Sequence, residues 1–383
     1  MSINHFTYVP RVCEVCGNND LEELYCFDYT ASTTGPSWLF RVRDVICRNC
    51  GFVFVAPAPD TKQLVAYYEK SYAKFKGQQL DYNVNKRIEV ILKWFRKVGS
   101  SSFYEIGAHM KTDFHSQLAE TFSEVYTTDP NQEFHDGNVV TNTRLVDVIG
   151  HYFVLEHVPN VLDFLSDCWN KLKTGGLMIC EVPDLSFYAK DISALILHEH
   201  VNHFTPGTLG AIAAKAGFRM MDTSNEMCSR SFGFVAVFEK ISSPNAPVGL
   251  HEYTINRTYF AEGLEKVARF LCAREDLYKV IEEQGLKDVE VLLWGANDNL
   301  LRLFPEGHSI PENVLVVDSN PKKRDFITGR IVYMPDDVVE RIQACNVVIL
   351  MTNLHSKIIL DMLDTRFKKT FEKTIVYDFY NPL

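Results

Sequence analysis

Short apolar runs, each closed by Gly, Asp or Pro, recur through the middle of the chain. They are Ser102-Phe103-Tyr104-Glu105-Ile106-Gly107-Ala108, Val125-Tyr126-Thr127-Thr128-Asp129-Pro130, Leu145-Val146-Asp147-Val148-Ile149-Gly150 and Gly175-Gly176-Leu177-Met178-Ile179-Cys180-Glu181-Val182-Pro183-Asp184. Helix-length stretches separate them. Apolar strands alternating with helices predict a parallel, doubly wound sheet, which binds ligands at the carboxyl ends of its strands. The first strand ends in Glu105-x-Gly107, where a missing Cβ lets the backbone approach a ligand. The second ends in Asp129, placed to accept hydrogen bonds from a ribose diol.

The pattern repeats loosely near the C-terminus. Residues 242–247 read as a linker, and a long helix is expected from Tyr253 to Gln284. Strands are then expected at residues 289–295, 314–318, 346–351 and 374–379. Gly295-Ala296 after the first of these and Asp318 after the second outline another nucleotide-sized site, with a helix N-terminus offering amides to a phosphate. A domain that only packs is the weaker alternative. Upstream, residues 84–97 form a basic amphipathic helix with Ile88, Ile91, Leu92 and Phe95 on one face, read as scaffold. Another helix begins near Thr61 and carries Tyr67, Tyr68, Tyr72 and Phe75. Tyr68 and Tyr72 are candidates for a sugar face; for most of these aromatics, packing against the next domain is the simpler role.

Composition narrows the function classes. A formal net charge of −10 and no basic run argue against a nucleic-acid partner. No stretch approaches the roughly 18 apolar residues of a membrane span, and the first residues lack a signal-peptide pattern. A cytoplasmic protein with no membrane partner is expected. Of ten cysteines, four form two C-x2-C-G knuckles, Cys13-Glu14-Val15-Cys16-Gly17 and Cys47-Arg48-Asn49-Cys50-Gly51. Four thiolates on two tight turns predict one closed, structural zinc site rather than a disulfide framework. The reading is an α/β chain: two Rossmann-like doubly wound domains with a small N-terminal zinc-binding segment. Its expected divisions are residues 1–83, 84–243 and 244–383.

Past the last strand of the middle domain comes Leu197-His198-Glu199-His200-Val201-Asn202-His203. This is not the helical H-E-x-x-H zinc pattern, which argues against a catalytic metal here. Imidazole suits proton abstraction near neutral pH, and a neighbouring Glu can orient it. The density of three histidines beside an acid, next to a cofactor-type domain, favours function over histidines that merely hydrogen-bond at a helix–loop junction.

The strand-end Gly107 and Asp129, then Val154-Leu155-Glu156-His157-Val158-Pro159 and Leu172-Lys173-x-Gly175-Gly176, resemble a class I S-adenosylmethionine methyltransferase. The resemblance implies S-adenosylmethionine as cofactor, held by Glu105, Gly107, Ala108 and Asp129, with His151 and Phe153 bordering the adenine and the transferred methyl. With the cysteine knuckles in front, His-Glu-His after, and a second α/β domain, the whole chain resembles the sugar C-methyltransferases. That family acts on nucleotide-linked keto-deoxysugars. The resemblance implies His200 as general base beside Glu199, with His198 as the fallback, and substrate contacts at Gly295, Ala296, Asn299 and Asp318. The chain departs from the family in its cofactor loop (His109 for Asn, Lys111 for Gly), at Leu197 for Tyr, and at Asn299 for Lys. The same cofactor would also serve O- or N-methylation, and a degenerate fold would bind nucleotide-sugar without transfer. Oligomeric state is not legible.

Overall fold

The computed structural model describes residues 3–31, 37–71, 83–95, 101–108, 113–130, 144–190, 198–241, 249–283, 291–296, 313–324, 331–351, 355–372 and 374–378. The chain divides into two compact units, Met1–Gly263 and Leu264–Leu383.

In the first unit the apolar runs form a six-stranded sheet. Its spatial order is Phe218–Ser224, Gly233–Lys240, Leu172–Pro183, Val146–Tyr152, Ser102–Ile106, Glu124–Thr128. The last four strands are mutually parallel. The first two form an antiparallel pair joined to Leu172–Pro183. Val146–Tyr152 is buried at every position, as its lack of polar alternation requires of a strand covered on both faces. One face packs on Ile91, Phe114 and Leu118. The other packs on Leu165, Cys168, Leu209 and Ile212. Ser102–Ile106 lies between Glu124–Thr128 and Val146–Tyr152, so the chain winds first one way and then the other from it. Such a reversal leaves a crevice at the carboxyl ends of the two central strands.

The N-terminal residues build a second sheet in the same unit. Leu21–Ala31 and Ser37–Cys47 pair antiparallel, and Val53–Val55 adds to the latter. Asn202–His203 then pairs antiparallel with Val53–Val55. This pairing fixes the histidine-rich stretch to the N-terminal sheet. Cys13, Cys47, Phe52 and Phe54 lie in one apolar cluster with Ile149, Leu165 and Phe234, so the knuckles and the central sheet share a core.

The scaffold helix runs Val84–Trp94, shorter than its periodicity suggested, and its buried residues are Arg87, Val90 and Ile91. Leu92, expected on the buried face, is 49% exposed. The rest of the expected face holds: Ile91 is buried, and Ile88 and Phe95 pack against the same cluster.

In the second unit Val314–Val317, Val291–Trp294, Val347–Leu350 and Ile375–Asp378 lie side by side in that order, all parallel. Helix Ser356–Thr365 packs Ile359 and Leu363 into this unit's core. The helix expected from Tyr253 spans Tyr253–Glu283.

Candidate functional site

The crevice is floored by the turn after Ser102–Ile106. Gly107 has φ +80, and a Cβ there would lie 2.5 Å from Val154 Cγ2. Only glycine combines that conformation with so close a neighbour. The amides of Gly107 and Ala108 both donate to the Thr128 carbonyl, at 2.7 and 3.1 Å. This ties the first strand end to the second, where Asp129 sits half-buried. Glu105 is buried, with Oε2 2.6 Å from His115 Nε2. His109 and Lys111 lie outside the described residues.

After Val146–Tyr152 the chain turns sharply. Phe153 has φ 58, and its amide donates to the Glu181 carbonyl at 2.7 Å. The Arg230 guanidinium lies 4.7 Å above the Phe153 ring and 5.7 Å from that of Phe232. His151 is placed differently from expectation. Its ring is fully buried, packs edge-on against Phe164 and finds no hydrogen-bond partner among the described residues. Burial pushes its pKa down to about 3. Strand alternation sends residue 151 to the same face as Ile149, into the core.

Beyond Val154, which abuts Gly107, lie Glu156 and His157 in the short turn Leu155–His157. The His198–His200 stretch folds onto them. It is held there by Val201 N to Glu156 O (2.7 Å), by Asn202 Nδ2 to the Leu155 and Val158 carbonyls (2.9 and 2.8 Å), and by Arg11 Nη1 to Val201 O (3.1 Å). The His157 and His200 rings stand edge to face, 5.0 Å apart. His157 Nδ1 is 3.1 Å from the Glu199 carbonyl and 3.3 Å from Tyr68 Oη. Tyr67 Oη donates to Glu199 Oε1 at 2.5 Å and lies 3.3 Å from His198 Nε2. His198 is stacked on Tyr29 at 4.1 Å and edged by Phe40, a packing position. Glu156 is 1% exposed, and desolvation pushes its carboxyl up to about 8. Desolvation also pushes His157 down to about 4. At neutral pH the pair therefore holds a carboxylic acid beside a neutral imidazole.

The structure brings together Glu199, His200, His198 and Tyr68 from the expected set. It adds Tyr67, Glu156, His157 and Arg230. Arg87 was also unforeseen: its Nε and Nη2 reach Glu181 Oε2 at 2.9 and 2.8 Å, and its guanidinium caps the Tyr152 ring at 4.1 Å. Ser229 donates to the same carboxylate through N (2.8 Å) and Oγ (2.6 Å). This buried pair ties helix Val84–Trp94 to the carboxyl end of Leu172–Pro183. The legible signal for it was a lone Glu in an otherwise apolar strand.

The four knuckle sulfurs converge, with Cys13 and Cys50 Sγ 3.3 Å apart, Cys16 and Cys47 Sγ 3.5 Å apart, and all four within 4.8 Å of one another. A zinc with sulfur ligands at about 2.3 Å requires tetrahedral edges of about 3.8 Å, so the donor set fits that ion. Gly17 N to Cys13 O (2.7 Å) and Gly51 N to Cys47 O (2.9 Å) close the two turns.

In the second unit Asp318 is drawn into its own loop. Its Oδ2 accepts from Ala296 N at 2.9 Å and from Lys323 Nζ at 3.1 Å, and Oδ1 accepts from Asn320 N at 2.8 Å. Gly295 donates to the Val317 carbonyl. Lys323 thus supplies a cation at this strand end. Tyr72 and Asn299 lie outside the described residues.

Residues 81–223, which carry the crevice and the His198–His200 stretch, match the family model described as "Methyltransferase domain". The C-methyltransferase NovU of Streptomyces niveus is 22% identical over 243 residues, 55% of this chain and 56% of NovU. The chain thus spans about half the length of that curated relative. Among solved structures, an S-adenosylmethionine-dependent methyltransferase from Mesorhizobium loti is 12% identical over 41% of this chain and all of its own, with TM-score 0.33. A Burkholderia thailandensis 1,6-didemethyltoxoflavin-N1-methyltransferase is 13% identical over 50% of this chain and 96% of its own, with TM-score 0.35. No helix among the described residues is long and apolar enough to cross a membrane.

Proposed function

We propose that this protein is an S-adenosylmethionine-dependent methyltransferase acting on carbon in a nucleotide-linked keto-deoxysugar, with His200 as general base. The observation that carries the reading is the folding of His198–His200 onto Glu156 and His157, immediately beyond the Val154 side chain that abuts Gly107. A candidate base and a cofactor-type glycine turn thereby flank the same Val154–His157 segment. The match of residues 81–223 to a methyltransferase domain supports the cofactor assignment, and the likeness to a C-methyltransferase supports carbon as the acceptor.

Gly107 and Ala108 would border the cofactor and Asp129 its ribose. When bound, S-adenosylmethionine supplies an electrophilic methyl group. This chain's own residues prepare the acceptor. His200 takes the proton from the carbon beside the ketone, leaving the electron pair as an enolate, and later returns that proton to water. Glu199, held by Tyr67, would anchor a substrate hydroxyl. Tyr68, 3.3 Å from His157 Nδ1, and Arg230, over the Phe153 ring, would orient the sugar. Zinc at Cys13, Cys16, Cys47 and Cys50 would brace the N-terminal sheet on which Asn202–His203 is paired.

The substitutions His109 and Lys111 favour a second reading, nucleotide-sugar binding without methyl transfer. Calorimetric titration with S-adenosylmethionine decides between them. Binding that falls by about 1.5–3 kcal/mol in Asp129→Ala supports the first reading. Absence of binding to the wild-type protein supports the second.

A further inference from the structure

Glu156, His157 and His200 present a carboxyl group and two imidazoles whose ligand atoms all lie within 4.8 Å of one another. Two further features point to a cation. Glu156 Oε2 is sealed from solvent and has no hydrogen-bond partner among the described residues, while Oε1 stands 3.9 Å from His157 Nε2, beyond hydrogen-bond reach. His157 Nδ1 faces the Glu199 carbonyl, which can only accept. Nδ1 therefore carries the proton, and the Nε2 lone pair points toward Glu156. A backbone carbonyl fixing the far nitrogen is the usual orientation of a metal-bound imidazole. Ligands at about 2.1 Å on one tetrahedral ion stand about 3.4 Å apart, so atoms now within 4.8 Å of one another must draw in by about 1.4 Å at most to hold it. Arg230 acts on Glu156 and His157 as a nearby positive charge.

We propose that Glu156, His157 and His200 form a second metal site, separate from the cysteines, which takes a divalent cation of borderline softness such as zinc. Occupancy engages the lone pair that His200 needs as a base, so metal binding and proton abstraction exclude each other. The metal site stands on its own geometry; the exclusion rests on the function proposed above. Two imidazoles and one carboxylate with open positions form a donor set used by zinc, cobalt and iron.

The test uses the full chain with its cysteine site loaded, dialysed free of loosely held metal and titrated with Co2+. One further equivalent should bind, with visible d–d bands and no added thiolate charge transfer. Glu156→Gln and His157→Asn should each weaken that equivalent at least tenfold, while the zinc content of the cysteine site stays unchanged and so reports intact folding. No further equivalent, or one undiminished in both variants, overturns the site. For the exclusion, exchange of the ring hydrogen of a thymidine-diphosphate keto-deoxysugar into heavy water should fall in proportion to cobalt occupancy. Unchanged exchange at full occupancy overturns the exclusion. Metal binding with no exchange even in metal-free protein leaves the site standing and removes the base role instead.

Discussion

Replacing Gly51 by Ala tests how the second knuckle is built into the fold, with Gly17→Ala as its internal control. Both glycines follow the second cysteine of a knuckle at positive φ, +75 for Gly17 and +87 for Gly51. A Cβ at Gly17 meets nothing within 4 Å. Its cost is then the left-handed backbone of an L-residue, about 1–2 kcal/mol, partly offset by a stiffer unfolded chain. A Cβ at Gly51 would sit 2.4 Å from the Glu252 carbonyl carbon and 2.5 Å from Tyr253 N, at the start of helix Tyr253–Glu283. These are backbone atoms, and they must retreat by about 1 Å to reach ordinary contact. Two hydrogen bonds span that contact, Glu252 N to Cys50 O (3.1 Å) and Asn256 Nδ2 to Gly51 O (3.0 Å). Losing both at about 1 kcal/mol each brings Gly51→Ala to roughly 3–4 kcal/mol against about 1 for Gly17→Ala. Urea unfolding of the two zinc-loaded variants, with helix content as the readout, measures the difference. Equal destabilisation would refute the reasoning, because the approach of the helix start is what a Cβ meets at Gly51 and does not meet at Gly17.

Metal analysis of purified protein should find about one zinc per chain, and Cys47→Ser should lose it and destabilise the N-terminal sheet; folded, zinc-free wild type would contradict this. The buried His151 ring predicts acid sensitivity. Its folded pKa is depressed to about 3, so the unfolded chain takes up a proton below about 6.5 that the folded one refuses. The stability contribution is complete above pH 6.5 and is lost as pH falls toward 3. His151→Leu should flatten that part of the stability–pH curve, measured by thermal unfolding across the range, and an unchanged slope would count against a buried neutral ring.

What the sequence revealed depended on whether the cause was local. The four central strands were legible because each is an apolar run closed by a residue that cannot extend it, and Gly107 marked the crevice for the same reason. The cysteine knuckles were legible because four ligands at fixed spacing have few other uses. His198–His200 stood out by density, although its position could not be read: the antiparallel pairing of Asn202–His203 with Val53–Val55 joins residues far apart in sequence. Tyr67 was counted among packing aromatics and proves to hold Glu199. Arg87 was one charge on a basic helix, and only the folded sheet shows Glu181 turning it inward. His151 misled because its neighbours border the crevice while strand alternation points its own ring into the core.

Proton abstraction by His200 is the central claim, and exchange of the substrate's ring hydrogen into heavy water measures it without requiring methyl transfer. Wild-type protein with a thymidine-diphosphate keto-deoxysugar should exchange the hydrogen beside the ketone and, once S-adenosylmethionine is added, form a carbon–methyl bond visible by NMR. His200→Asn should lose both by a factor of about 10²–10⁴, the usual contribution of a general base, with cofactor affinity nearly unchanged. A His200→Asn variant that exchanges and methylates at the wild-type rate would contradict the account, as would a wild-type product methylated on oxygen or nitrogen with no exchange.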